Sequence, residues 1–256
     1  MTTAAAKRKS RAQREKPQQI ADELRSLIVS GQLAEGDSLG REPELVERFG
    51  VSRPSLREAL RILETEGLVE VVRGLRGGVV VREPSQRMTA RTAALILQAR
   101  NVRLADVFEA RSMLEPLAAK AVAGSRKRKA AVAELRALID QEQDALEDPE
   151  AFADANARFH ERLVSLAGNE TLTIVAEMLN EIVVRAVTAV SLAEDIVGSV
   201  ATRRRGIRSQ EHLLSLIGKG DDAGAEEHWR AHMAIVSRVM LGQEASTVVD
   251  LLHHDG

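Results

Sequence analysis

Two arginines one helical turn apart, Arg53 and Arg57, stand in the stretch "FGVSRPSLREALRILETEG", among small hydroxyl residues and ahead of an apolar stripe. Side chains four residues apart on a helix share a face. Arg is also the side chain best shaped to fork onto guanine O6 and N7 in the major groove. Gly50 suits a turn, Ser52 suits a helix N-cap and Pro54 suits the first helical turn, while Ser52 and Ser55 are placed to hold phosphates. Leu56, Leu60 and Leu63 would pack the opposite face. The bland alternative is a solvated face whose arginines pair within the helix, with Glu58 for instance. Downstream, "RGLRGG" sets Arg73 and Arg76 around Gly74, on a backbone supple enough to approach a phosphate wall or enter the minor groove.

Another kind of chemistry lies in the second half. Asn156 and His160 are four apart, so on a helix they would share a face and could converge on one ion or ligand. His232 belongs to a later helix and could reach the same centre, although His228 and His232 form a competing pair. A helical histidine is also, more plainly, a structural or surface residue. No His-Glu-x-x-His, no Ser/His/Asp set with an elbow and no phosphate loop is present, since "GLRGG" lacks the following Lys and Ser or Thr. A His-containing helical metalloenzyme with an accessory nucleic-acid-binding domain is therefore the second reading, and an architectural DNA binder the third; the latter would have no use for a pocketed second domain.

The elements that must carry these residues follow from periodicity. The spacing predicts a helix from Pro17 with Ile20, Leu24, Leu27 and Ile28 on one face, a loop "LAEGDSLG", a short helix "EPELVERFG" and the arginine-bearing helix, each of the two helices ended by glycine. "LVEVVRG" and "GGVVVRE" read as a Gly-tipped hairpin. Helix, helix, helix and hairpin is the order of a winged helix-turn-helix over residues 17–83. A basic tail, "KRKSRAQREK" within residues 1–16, is expected to be disordered and to add phosphate attraction. Residues 84–87 read as a linker and 88–243 as all-α. Helices there fall near 88–100, 103–123, 127–146, 149–167, 170–193, 196–219 and 222–241, before a C-terminal tail at 244–256.

Composition agrees with a mainly α chain. Aromatics are 2% against 44% hydrophobic residues, so Leu, Val, Ile and Ala must build the core, a palette for helices. The chain has no Cys, which excludes disulfides and thiolate metal sites. No apolar run approaches the roughly 20 residues of a membrane span, and a cytoplasmic, soluble protein is expected.

The segment "LAEGDSLGREPELVERFGVSRPSLREALRILETEGLVEVVRGLRGGVVV" resembles the winged helix-turn-helix of GntR-superfamily regulators. "DVFEARSMLEPLAAKAVA", "NARFHERLVSLAGN" and "LLSLIGKGDDAGAEEHWRAHM" resemble the FCD effector domain of the FadR branch. The first resemblance implies that Arg53, Ser55 and Arg57 read bases or phosphates and that Arg73 and Gly74 form the wing tip. Relatives carry an acidic residue followed by Arg ahead of the recognition helix. Here Glu42 is followed by Pro43, and Arg41 is the stand-in. The second resemblance implies that residues 88–243 fold as an all-α antiparallel helical bundle for effector binding and dimerisation, with a central pocket for a small organic-acid-type metabolite, Arg111 for its carboxylate, and a divalent metal (Zn²⁺ or Ni²⁺) on Asn156, His160 and His232. The remaining metal ligand of relatives is His, where this chain has Gln210. His212, two residues on, would point to the other side of the helix. Two imidazoles and two amides make a weak set for such ions, so Arg111, Asn156, His160, Gln210 and His232 are also candidates to hold an effector directly. Taken together, the sequence is read as a metabolite-responsive DNA-binding repressor, homodimeric on a pseudo-palindromic operator, and not an enzyme.

Overall fold

The computed structural model describes residues 2–72, 74, 77–84, 86–191 and 199–241; within its helices the side chains of 2–15, 86–87, 185–191 and 240–241 are not described. Two compact units divide the chain, Met1–Met88 and Thr89–Gly256.

The first unit has three helices and a small sheet: α1 (Thr2–Val29), β1 (Ser38–Gly40), α2 (Glu42–Phe49), α3 (Arg53–Thr65), β2 (Val69–Val72) and β3 (Gly78–Val81). The sheet is antiparallel in the order β1-β3-β2. Register Val69↔Val81 through Val72↔Gly78 makes β2 and β3 the expected hairpin. One core holds Ile20 and Leu24 of α1, Leu45 of α2, Leu56, Leu60 and Leu63 of α3, and Val69, Val79 and Val81 of the sheet. Arg25 of α1 forks onto Glu66 at the end of α3, Nε to Oε2 at 2.8 Å and a terminal nitrogen to Oε1 at 2.7 Å.

Three details differ from the sequence expectation. The helix begins at Thr2, not Pro17, and carries Pro17 inside it. The upstream stretch expected to be disordered is rich in Ala, Lys, Arg and Gln, which are strong helix formers. "LAEGDSLG" is not wholly loop: β1 pairs with the outer edge of β3, Ser38 opposite Val80. A three-residue strand with one buried residue, Leu39, has no alternation to betray it. The expected linker is shorter, because α4 takes in Gln86 and Arg87.

Among the described residues the second unit is all helices and turns: α4 (Gln86–Ala99, reaching back across the division), α5 (Leu104–Gly124), α6 (Arg128–Asp144), α7 (Pro149–Ser165), α8 (Glu170–Ser191), α9 (Val200–Lys219) and α10 (Asp222–Leu241). These match the seven helices read from periodicity; residues 192–198, where two of the expected helices meet, lie outside the described residues. α10 runs antiparallel along α5, with Lys120 paired to Glu226 at 2.8 Å and Trp229 bonded to Glu115. α6 and α7 are likewise antiparallel, tied by Arg158 to Gln141 and by Arg162 to Glu134. Leu135, Ile139, Phe159, Leu163, Leu213, Ile217 and Trp229 fill the main core, and Phe108, Leu179 and Ile182 anchor a second cluster. Among the described residues no helix is long and apolar enough to cross a membrane.

Candidate functional site

The recognition-helix end is built by local signals. α2 stops at Gly50, whose φ of +59° closes the helix in the left-handed region where glycine is at no disadvantage. Ser52 is the N-cap of α3: its Oγ accepts from the Ser55 N–H at 3.3 Å, and the two hydroxyls lie 2.9 Å apart. Pro54 falls in the first turn. With Leu56, Ala59, Leu60 and Leu63 buried, the other face of α3 is turned outward and Arg53 and Arg57 are both exposed.

Arg57 does not pair within its helix. Its Nε donates to both oxygens of Glu42 on α2, at 3.0 and 3.1 Å. Arg61 is the residue that approaches Glu58, at 3.7 Å. Arg41 is the N-cap of α2, and its backbone N–H donates to Glu44 Oε2 at 2.8 Å. At the hairpin tip Gly74 has φ +117°, which other residues rarely adopt, and Gly77 donates back to its carbonyl at 2.9 Å. Arg73 and Arg76 lie outside the described residues.

Inside the helical unit the candidates separate into two neighbouring groups. A narrow pocket, with room for about one water, is lined by Arg111, Leu114, Glu115, His160, Glu161, Ala176, Leu179 and Asn180. Arg111 and His160 therefore meet there, whereas Asn156, Gln210 and His232 are not among its lining. Arg111 places Nε and a terminal nitrogen 2.9 Å from Glu115 Oε1. Glu115 Oε2 takes His160 Nδ1 at 2.5 Å and the Trp229 indole N–H at 3.0 Å. Burial raises the Glu115 carboxyl, but His160, Arg111 and the two hydrogen bonds outweigh it and bring the group down to about 2.

The second group centres on Glu142 of α6, which the sequence reading passed over. Gln210 Nε2 donates to its Oε1 at 2.9 Å and Asn156 Nδ2 approaches its Oε2 at 3.4 Å. Burial pushes Glu142 up to about 7, against the pull of those two amides. Gln210 is fully buried while His212 is exposed, so no register shift brings His212 inward. His232 stacks on Trp229 with ring centres 4.2 Å apart, and burial holds it down at about 3. Gln210 Oε1 and His232 Nε2 are buried without a hydrogen-bond partner. No spacing rule would have found Glu142, since its partners come from two other helices; Glu115, four residues from Arg111 on the same helix, is the one partner that helical spacing could have offered.

The expected metal donors do not fit a Zn²⁺ or Ni²⁺ site. Asn156 and Gln210 turn amide nitrogens, not oxygens, toward Glu142. The rings of His160 and His232 lie 6.1 Å apart and close to parallel, at 23°, and Nδ1 of His160 is already engaged by Glu115. Among the described residues no three His, Asp or Glu side chains are grouped to hold a metal.

An outward arginine pair on the capped helix α3, followed by the β2–β3 hairpin, is the arrangement of a winged helix-turn-helix DNA-binding regulator. The bacterial regulatory proteins, gntR family, match residues 16–81, and the FCD domain matches residues 106–234. The chain is 25% identical to the HTH-type transcriptional regulator LutR of Bacillus subtilis (strain 168), over 84% of its own length and 97% of that protein. It is 27% identical to the HTH-type transcriptional repressor NanR of Cronobacter sakazakii, over 88% and 85%. In fold it is similar to a solved Streptococcus agalactiae GntR, with a TM-score of 0.66 and 23% identity over 87% of this chain and 99% of that one. The chain belongs to the GntR family of transcriptional regulators with an FCD domain. It is a regulator and not an enzyme, and the metalloenzyme reading has no support.

Proposed function

We propose that this regulator is a cytoplasmic repressor, acting as a homodimer on a pseudo-palindromic operator and released or tightened by a small organic-acid-type metabolite. The observation that carries the DNA half is the exposure of Arg53 and Arg57 on the first two turns of α3. Set in the major groove, they meet base edges. Ser52, Ser55 and Arg41 take phosphates, and Arg73, Gly74 and Arg76 follow the adjoining backbone or minor groove. One such helix reads a half-site, which is why two copies are needed.

For the effector, Arg111 and His160 line the pocket, and Arg111 spends only part of its five-donor guanidinium on Glu115. A carboxylate has the chemistry to pair with the remainder once the lining side chains part, since the pocket as it stands has room for about one water. Gln210 Oε1 and His232 Nε2, buried without partners close by the His160 and Glu142 groups, favour a ligand that also donates hydrogen bonds, with Asn156 beside Glu142. A metal on Asn156, His160 and His232 has no part in this reading. The effector works by binding two arrangements of the dimer with different affinity, only one of which matches successive grooves, and residues Glu83–Arg87 carry the change. DNase footprinting of the region upstream of the chain's own gene, with and without candidate organic acids, tests this. Protection of a dyad-symmetric site that one acid changes is expected; occupancy indifferent to every acid overturns the switching.

A further inference from the structure

The geometry points to Glu42 as the positioning residue that fixes how Arg57 is presented, and so as a determinant of which base pair the helix accepts. This rests on the reading that Arg57 meets a base edge. Both carboxylate oxygens of Glu42 grip the same atom, Arg57 Nε, at 3.0 and 3.1 Å. The two terminal nitrogens make no hydrogen bond among the described residues. A guanine is recognised by two nitrogens of one guanidinium on O6 and N7, and a grip through Nε leaves a forked pair at the outer end of the side chain. The guanidinium is the exposed partner, at 68%, and the carboxylate the more covered one, at 32%. Glu42 thus props Arg57 from below.

Neither stability nor charge explains the contact as well. An exposed ion pair adds little to folding. A carboxylate beside a DNA-facing helix repels phosphates and lowers affinity for every sequence alike. What it supplies is order: the long arginine side chain loses rotamer freedom before binding, so a wrong base cannot be met by swinging away. Glu42 is itself held, as the first residue of α2 with a backbone narrowed by Pro43. Arg53 has no such prop among the described residues, and is freer to adapt to the base edge it meets.

Selection of full-length protein against a random-sequence duplex library separates these roles, with wild type, Glu42→Gln, Glu42→Asp and Arg57→Ala compared. Wild type is expected to enrich guanine at one position per half-site that Arg57→Ala no longer specifies. Glu42→Gln should weaken that preference about tenfold, leave the other positions intact, and bind a scrambled duplex as well as or better than wild type. Glu42→Asp keeps the acidic helix start but is one methylene short of Nε, so it should lose preference at the same position. Retention of the wild-type guanine preference in both Glu42 variants, or its even erosion at all positions, overturns the inference. If Arg57→Ala leaves the selected site unchanged, the base-reading role of Arg57 fails, and this inference with it.

Discussion

Glu115 and Glu142 are both buried carboxylates of one helical unit, yet their surroundings drive them in opposite directions. Glu115 is compensated by Arg111 and His160 and falls to about 2, so it contributes stability that is lost as pH drops from its ordinary 4.5 toward 2. His232, neutral and held at about 3, adds stability that is lost as pH falls below its ordinary 6.5. Glu142 has only amides for hydrogen-bond partners and rises to about 7. Its folded pKa exceeds the unfolded value, so its contribution is complete below 4.5 and is lost as pH rises through 7. Glu142→Gln removes this liability. In urea unfolding at pH 5 and pH 8, the stability of the variant relative to wild type should improve with pH, by on the order of 3 kcal/mol at most. A difference that does not change between the two pH values would show that Glu142 does not hold its proton in the fold. Helical spacing could have offered only the pair whose partners share a helix, Arg111 and Glu115. Glu142 and Gln210 are 68 residues apart and Glu115 and Trp229 are 114 apart, so only the folded bundle brings them together.

The elements of the DNA-reading unit are written in local signals, which is why they could be read ahead of the structure. Gly50, Ser52 and Pro54 each act on the few residues around them, and Leu56, Leu60 and Leu63 mark the buried face by spacing alone. What escaped has no local signature. β1 gains its identity from β3, some forty residues on. The start of α1 is set by propensity upstream of Pro17, where a proline at a helix start was the stronger expectation. Ser52 gives an element-scale prediction. Because its Oγ satisfies the Ser55 N–H and is hydrogen-bonded to the Ser55 hydroxyl, Ser52→Ala should cost about 1 kcal/mol in chemical unfolding. It should also weaken operator binding by more than that loss of stability explains, since the first turn of α3 carries Arg53. Unchanged stability would mean that water caps the helix equally well.

At the scale of the whole molecule, the chain joins a winged helix-turn-helix unit to a helical unit whose apolar cores enclose a few buried polar groups. The family shows that such chains regulate transcription. The buried polar contacts of the helical unit are not encoded in backbone pattern: Gln210 and Asn156 meet on Glu142, a grouping that neither spacing nor resemblance implied. As DNA-reading groups, the two guanidinium groups of α3 are tested most directly by the ratio of operator to scrambled-duplex affinity, measured by fluorescence anisotropy at fixed salt. Two forked contacts at about 1–3 kcal/mol each predict that Arg53→Ala together with Arg57→Ala lowers this ratio by a factor on the order of 100 or more, with the fold intact by circular dichroism. A double variant that keeps the wild-type ratio would contradict the account.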